Sequence, residues 1–466
     1  MTATNQDVAK GTRYAFFISF VAAIGGFLFG YDLVIISGVQ LFLRQQFVLT
    51  PAQFGFATSS AILGCIIGPS LGAWLCDRIG RKGTLMLSGV LFLTGAIGAG
   101  LAPSILIFNI FRITGGVGVG LSSLASPMYI AEIGPARQRG KLGIMYQLAI
   151  TVGAVSATIA AYFLAKYVPS TISWRLMLSS VAVPVVLFMV LLVRVPQSPR
   201  WLAEEGQFDE AFSILAKIDG EEFARAEMKE IRESLNAKSG AWAELFEPGM
   251  RHALLIGIAL ALFNNWTGWS GIAYYLPSLF QQAGYPQASS AIGVNVLVMA
   301  GNFLLTFVSI LLVDRSGRRP IWIITSGAMV VCLITAGMVF QSQMTGAIVV
   351  AAVFLCAIPH AIGLGPLPWL MMSELYPTRL RARAVSISTT FLWIAGFTAP
   401  FAFPIIEAAS KRQFGSAAGV FWFYALISLL AFIWGRKYLP ETKGRTLEEI
   451  AESWTRAQPE IASSSG

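Results

Sequence analysis

Stretches of about twenty apolar residues recur along the chain, and nothing else in it restricts the fold so strongly. A run of that length matches the hydrocarbon thickness of a bilayer, and inside lipid a single segment satisfies its own backbone only as a helix. Twelve such stretches are found, centred near Gly26, Leu63, Phe92, Gly116, Val155, Val186, Asn265, Gly301, Val330, Gly363, Phe397 and Leu429. Composition agrees, since 55% of the 466 residues are hydrophobic, only 12% are charged and the mean hydropathy is +0.67. The expectation is an all-α membrane protein with twelve transmembrane helices. The first apolar run is of spanning length and continues through Val39, so it reads as a retained helix and not as a cleaved signal peptide.

Sidedness follows from Lys and Arg, which cytoplasmic loops retain during insertion. Arg44, Lys166, Arg175, Lys411 and Arg412 fall on one side; setting these five and Arg112 apart from the 33 basic residues leaves 27 on the other. Both termini are therefore expected in the cytoplasm of a cell whose inner or plasma membrane holds the chain. The net charge of +9 then follows from topology and calls for no nucleic-acid partner.

Two charges interrupt the apolar pattern. Asp32 sits inside FFISFVAAIGGFLFGYDLVIISGV at residues 16–39, and Arg112 inside ILIFNIFRITGGVGVGLSSL at residues 105–124. A carboxylate at membrane depth costs about 2.5 to 3.5 kcal/mol, so such a residue usually has a partner and a task. Arg112 is the partner candidate, and the pair reads as a proton switch; the plainer reading is a permanent ion pair that fixes two helices. Cys65, Cys76, Cys332 and Cys356 lie in or at the ends of apolar spans without metal-ligand spacing and read as packing residues. His252 and His360 are too few and too scattered for a metal, and His360 reads as an intramembrane polar group or, less simply, a proton relay. No metal or other cofactor is expected. No phosphate-binding loop and no nucleophile with a base occurs in sequence context, which argues against an enzyme and against ATP coupling.

Residues 200–251 hold twelve of the 24 acidic side chains, and Phe208, Phe212, Leu215 and Ile218 recur there at helical spacing. Short amphipathic helices outside the bilayer are expected, dividing the spans six and six. The halves also share signatures in one order. DRIGRK at 77–82, EIGPARQR at 132–139 and PQSPR at 196–200 are answered by DRSGRR at 314–319, ELYPTRLR at 374–381 and PETKG at 440–444, at offsets of 237, 242 and 244 residues. Three ordered recurrences at nearly constant offset indicate duplication. Asp77, Arg78, Arg81, Glu132, Arg139 and Arg200 in one half, and Asp314, Arg315, Arg318, Glu374 and Arg381 in the other, are candidates for a charged latch at the cytoplasmic end. The plainer reading is that they only enforce topology.

Over essentially its whole length the chain resembles the sugar porter branch of the major facilitator superfamily. The carrying residues are GFLFGYD ending at Asp32, the DRxGR loops at Asp77 and Asp314, RITGGVGVG from Arg112, SPMYIAEIGPARQRGK through Lys141, the tyrosine pair before Pro277, GPLPW ending at Trp369 and PETKGRT from Pro440. The resemblance implies two pseudo-symmetric six-helix bundles, with a substrate site between them near mid-membrane. It places the N-terminal bundle at 1–194, a linker at 195–250, the C-terminal bundle at 251–438 and a tail at 439–466. Close helix packing is also suggested by the glycine ridges Gly64/Gly68/Gly72, Gly26/Gly30 and Gly116/Gly120.

The chain is similar to the proton-coupled members, such as bacterial xylose/proton symporters, in having Asp at 32 and Arg at 112. The resemblance implies that ionised Asp32 holds Arg112, that protonation from outside releases it, and that proton and substrate cross together. It assigns substrate contacts to Gln147, Asn302, Trp369 and Trp393. In the seventh span Asn264 and Asn265 stand where the family carries glutamines, and Ser270 where it carries an Asn, with Tyr275 following. The shorter amides imply an altered substrate size or placement. Gln197 stands where the family usually has Glu, which is expected to weaken one ion-pair option at the latch, with Glu204 and Glu205 nearby as substitutes. The function expected is proton-coupled import of a monosaccharide or related polyol, by a chain acting as a monomer in the lipid bilayer. Alternatives are a passive facilitator, a transporter of another small hydroxylated or carboxylate compound, and a membrane nutrient receptor.

Overall fold

The computed structural model of the protein describes residues 5–134, 139–235 and 242–443. The tail expected at 439–466 lies outside the described residues from 444 onward. The described chain is nearly all helix: α1 Asn5–Gln46, α2 Pro51–Leu101, α3 Ile105–Ile133, α4 Arg139–Tyr167, α5 Ser170–Ser179, α6 Ala182–Val193, α7 Pro199–Glu204 and α8 Phe208–Leu235, then a 3₁₀ turn Trp242–Phe246. There follow α9 Pro248–Trp266, α10 Trp269–Gln282, α11 Ala288–Ser316, α12 Arg318–Gln341, α13 Ala347–Pro359, a π-helical turn His360–Leu364, α14 Pro366–Glu374, α15 Thr378–Phe414 and α16 Ala418–Tyr438.

Among the described residues ten helical stretches are long and apolar enough to cross a membrane. One of these, α2, runs 51 residues across a kink at Gly80 and holds the second and third expected spans. The seventh expected span is divided between α9 and α10, so the ten are consistent with the twelve read from sequence. Large apolar side chains such as Val183, Leu106, Leu297, Val331 and Leu304 are 64–75% exposed on the helix exteriors. Water would not tolerate so much exposed apolar surface, whereas lipid does.

The chain divides into two compact units, one of Met1–Val48 with Ser60–Lys238 and one of Leu49–Ser59 with Ser239–Gly466. Inside unit 1, α1 lies along α4, and α3 packs on α1. Small residues permit this closeness: a Cβ at Gly30 would strike the carbonyl of Ile150, and one at Gly153 the carbonyl of Phe27. The expected ridge Gly64/Gly68 meets Gly116/Gly120 in the same manner, with Gly68 and Gly120 backbone to backbone, while Gly72 has more room beside Leu124. Helices α7 and α8 fall within unit 1, where Leu215 and Ile218 are buried and Arg232 covers Phe208 at 4.8 Å. In unit 2, α12 packs along α16 and α9 against α15.

Candidate functional site

In unit 1, α1 and α3 bring the two intramembrane charges together. Arg112 Nη1 donates to Asp32 Oδ1 at 2.8 Å, and Nη2 donates to the backbone carbonyl of Asp32 at 3.1 Å. Both residues are 2% exposed. The second carboxylate oxygen, Oδ2, and the guanidinium Nε are buried without partners. The pair is thus buried and only half satisfied by protein groups, which suits a group that must change its protonation state more than one that must only hold two helices. The backbone bond also tethers Arg112 to α1 independently of the carboxylate charge. On α4, Gln147 is exposed, while the hydroxyls of Thr151 and Thr158 bond back to their own helix, on Leu148 O and Val155 O.

In unit 2 the expected polar residues gather around two helix discontinuities. Prolines explain one of them. Pro366 and Pro368 lack N–H groups, so the carbonyls four residues earlier, Ile362 O and Leu364 O, have no helical donor. Ser309 Oγ of α11 bonds the first at 2.9 Å, and Asn264 Nδ2 of α9 bonds the second at 2.9 Å and Gly365 O at 2.9 Å. The chain between takes the π turn, with Gly365 N bonding His360 O at 2.8 Å. The same logic accounts for Tyr275: Pro404 orphans the carbonyl of Pro400, and the Tyr275 hydroxyl donates to it at 2.8 Å while its ring stacks on Phe403 at 4.4 Å. Asn265 Nδ2 donates to Leu392 O of α15 at 3.1 Å. The shorter amides therefore grip neighbouring backbone. Asn302 keeps an unpartnered Oδ1, Ser270 is half-buried, Trp369 is 45% exposed and Trp393 is buried.

The duplicated signatures build one corner in each unit. In unit 1, Arg81 Nε and Nη2 donate to Glu132 Oε1 at 3.0 and 2.7 Å, Ser198 Oγ donates to Glu132 Oε2, and Arg81 also meets Glu204 at 3.5 Å. Gly80 turns the chain with φ +73°, and the Gln197 amide fills the place a Cβ would need. Gln197 Oε1 accepts from Lys82 N at 3.0 Å, and its Nε2 donates to Ile79 O at 3.2 Å. In unit 2, Arg318 Nε and Nη2 reach the two oxygens of Glu374 at 3.3 and 2.9 Å, Thr442 Oγ1 donates to Glu374, and Gly317 turns with φ +88° against Glu441. Glu441 accepts from Arg318 N, Arg319 N and Lys443 N at 3.0, 3.1 and 2.9 Å. Burial alone would raise the Glu441 carboxyl; the backbone donors of Lys443, Arg318, Arg319 and Thr442 outweigh it and hold it below its ordinary value.

Other expected latch members sit outside these pairs. Asp77 supplies its carbonyl to Trp201 Nε1 at 2.9 Å, Arg78 lies over Trp74 at 5.4 Å, and Arg200 meets Glu204 at 3.5 Å. Arg315 supplies its carbonyl to Lys443 Nζ at 2.7 Å, and Arg381 Nε reaches Tyr376 O at 3.4 Å. The side chains of Arg139 and Asp314 lie outside the described residues. Among the described residues no three His, Cys, Asp or Glu side chains gather as a metal-ligand set, and the four cysteines are unpaired thiols.

A family model described as "Sugar (and other) transporter" matches residues 18–454. The chain belongs to this sugar transporter family. It is 37% identical over 453 residues to an arabinose-proton symporter of Bacillus subtilis, covering 95% of this chain and 96% of that one, and 34% identical over 484 residues to a D-xylose-proton symporter of Escherichia coli, covering 96% and 97%. Among solved structures it is similar to the inward open xylose transporter of E. coli, at 33% identity and a TM-score of 0.83, covering 94% of this chain and 100% of the other. As a sugar transporter family member with the major facilitator fold, the chain is an integral membrane transporter and not an enzyme.

Within this family frame, sequence reading missed two features. One is the role of Gln197, which caps backbone at the unit 1 corner where an ion-pair position was expected; its paired N–H and C=O partners follow from the Gly80 turn. The other is the π turn, whose signal was the Pro366/Pro368 spacing.

Proposed function

We propose that this sugar transporter family member couples proton import to import of a monosaccharide or related polyol by alternating access, with Asp32 and Arg112 as the coupling pair. The observation that carries the reading is the buried, half-satisfied pair: Arg112 Nη1 holds Asp32 Oδ1 at 2.8 Å while Oδ2 has no protein partner. A proton arriving on Oδ2 neutralises the carboxylate without first displacing the guanidinium. It thereby removes the charge attraction that held Nη1. The bond from Nη2 to the Asp32 backbone carbonyl persists, so Arg112 is loosened and not lost. Removing one charge of a buried pair is worth about 3 to 5 kcal/mol, the right scale to bias two conformations of a bundle. An inward proton at 100 mV supplies about 2.3 kcal/mol, which corresponds to about fiftyfold accumulation.

Relatives named arabinose-, D-xylose- and galactose-proton symporters support both the proton and the sugar. Substrate hydroxyls are assigned to Gln147, Asn302 and Ser270, with Trp369 and Trp393 as aromatic faces. Asn264, Asn265 and Tyr275 shape the site by holding broken helix backbone. The two arginine–glutamate corners serve as the latch on the cytoplasmic side, where the bias of basic residues also places both termini. The test is proton movement: adding D-xylose, L-arabinose, D-galactose or a polyol to de-energised cells producing the protein should alkalinise a lightly buffered medium. Sugar uptake with no alkalinisation would contradict coupling.

A further inference from the structure

Two breaks in helix meet in unit 2, and one side chain between them has no assigned task. The first break follows α9, where Gly268 has φ +112° and a Cβ would press on Tyr424. The second is the π turn His360–Leu364. Discontinuous helices are where transporters build substrate sites, and π turns recur at functional positions, because both free backbone and re-aim side chains. Here the freed carbonyls are already capped, by Asn264, Ser309 and, at Thr267, by Ser428 Oγ at 3.0 Å. The irregular backbone is paid off locally, yet polar atoms remain over. His360 opens the π turn with its ring 6.3 Å from that of Trp269, the first residue after the other break, and its Nδ1 is buried without a partner. On α11, which packs along the π turn, Asn302 Oδ1 is buried and unpartnered as well.

An unmet buried polar atom is costly, and native structures rarely keep one without a reason. We propose that His360 is a substrate-binding residue: its Nδ1 hydrogen-bonds a hydroxyl of the transported sugar or polyol, with Asn302 Oδ1 on the packed helix α11 as a second acceptor and the Trp269 ring as a wall. Imidazole suits this work because its two nitrogens differ, one donating and one accepting in the neutral ring, so it reads the direction of a hydroxyl. The inference rests on the sugar-transport reading and adds to it a residue that selects among hydroxyl configurations.

The experiment measures counterflow and equilibrium binding of D-xylose, L-arabinose, D-galactose and their monodeoxy analogues by purified wild type, His360→Phe and His360→Gln in liposomes. In wild type, the analogue lacking the contacted hydroxyl should bind about tenfold more weakly than its parent, the worth of one hydrogen bond. In His360→Phe the parent should lose about tenfold in affinity, and parent and analogue should become equal. A merely structural ring would not erase that one difference. His360→Gln should restore part of the discrimination, and it decides the matter should the Phe variant fail to fold. Unchanged affinities and unchanged discrimination in a folded variant would overturn the inference and leave sugar transport standing. Absence of binding to any sugar or polyol by wild type would overturn both.

Discussion

At the corner of unit 1 a neutral amide, Gln197, sits against the Gly80 turn, whereas at the corner of unit 2 a carboxylate, Glu441, sits against the Gly317 turn. Around them the parts correspond: Arg81 with Arg318, Glu132 with Glu374, and Ser198 with Thr442. Both central residues accept N–H groups of a helix restarting after a glycine, as a cap does. The amide adds a donor, used on Ile79 O, and the carboxylate adds charge, used on three backbone donors at 2.9 to 3.1 Å. The difference teaches that this position needs an acceptor of the right reach before it needs a charge. The corners also differ in depth. The Arg81 and Glu132 side chains are 4% and 11% exposed, against 13% and 21% for Arg318 and Glu374.

Depth sets the largest expected asymmetry. Glu132→Ala leaves a buried guanidinium with the Cys76 carbonyl at 3.3 Å and Glu204 at 3.5 Å, and should cost about 3 to 5 kcal/mol, while Glu374→Ala should cost about 1 to 2 kcal/mol. Thermal unfolding of purified protein in detergent checks this. Equal falls in Tm would break the comparison. Next come the turns, where the corners should agree. Gly80→Ala and Gly317→Ala each force a side chain into backbone that only glycine tolerates, at φ +73° and +88°, for about 1 to 3 kcal/mol. Unlike losses would show that the two turns are not equivalent.

Glu441→Gln should turn the unit 2 corner into a copy of unit 1 and cost about 1 kcal/mol near neutral pH. The carboxyl of Glu441 lies below its ordinary value of 4.5, so its contribution is fully present above that value and is lost as pH falls through the depressed one. Stability measured down the acid limb should therefore be flatter in the variant than in wild type, and parallel curves would refute the charge-based cap. The smallest effects belong to the hydroxyls. Ser198 both donates to Glu132 and accepts from Trp201 N at 3.3 Å, while Thr442 only donates, so Ser198→Ala should cost about 1 kcal/mol and Thr442→Val about 0.5 kcal/mol.

Much of this was legible in the chain because lipid leaves few choices. Apolar length marked the spans, and the cost of burying either charge by itself draws together an acid and a base deep inside two of them, as it does Asp32 and Arg112. Repeated signatures located both corners for the same reason: duplicated residues keep duplicated contacts. Hydropathy is blind to hydrogen-bond direction, however. The centres read at Asn265 and Gly363 fall on the two broken helices, and nothing in their apolarity marked the breaks. Which amides face a cavity and which cap a carbonyl depends on prolines on other helices, so Asn264 and Tyr275 were read as substrate ligands while their donors serve Leu364 and Pro400. Gln197 was read as a lost charge because an acceptor's partners lie 115 residues away in the chain.

Gradient-driven uptake by Asp32→Asn tests the coupling pair most directly. Wild type in proteoliposomes with an imposed inward proton gradient should concentrate the sugar; the variant should only equilibrate it, while exchanging sugar across the membrane in counterflow at a measurable rate. Accumulation by the variant equal to that of wild type would contradict the account.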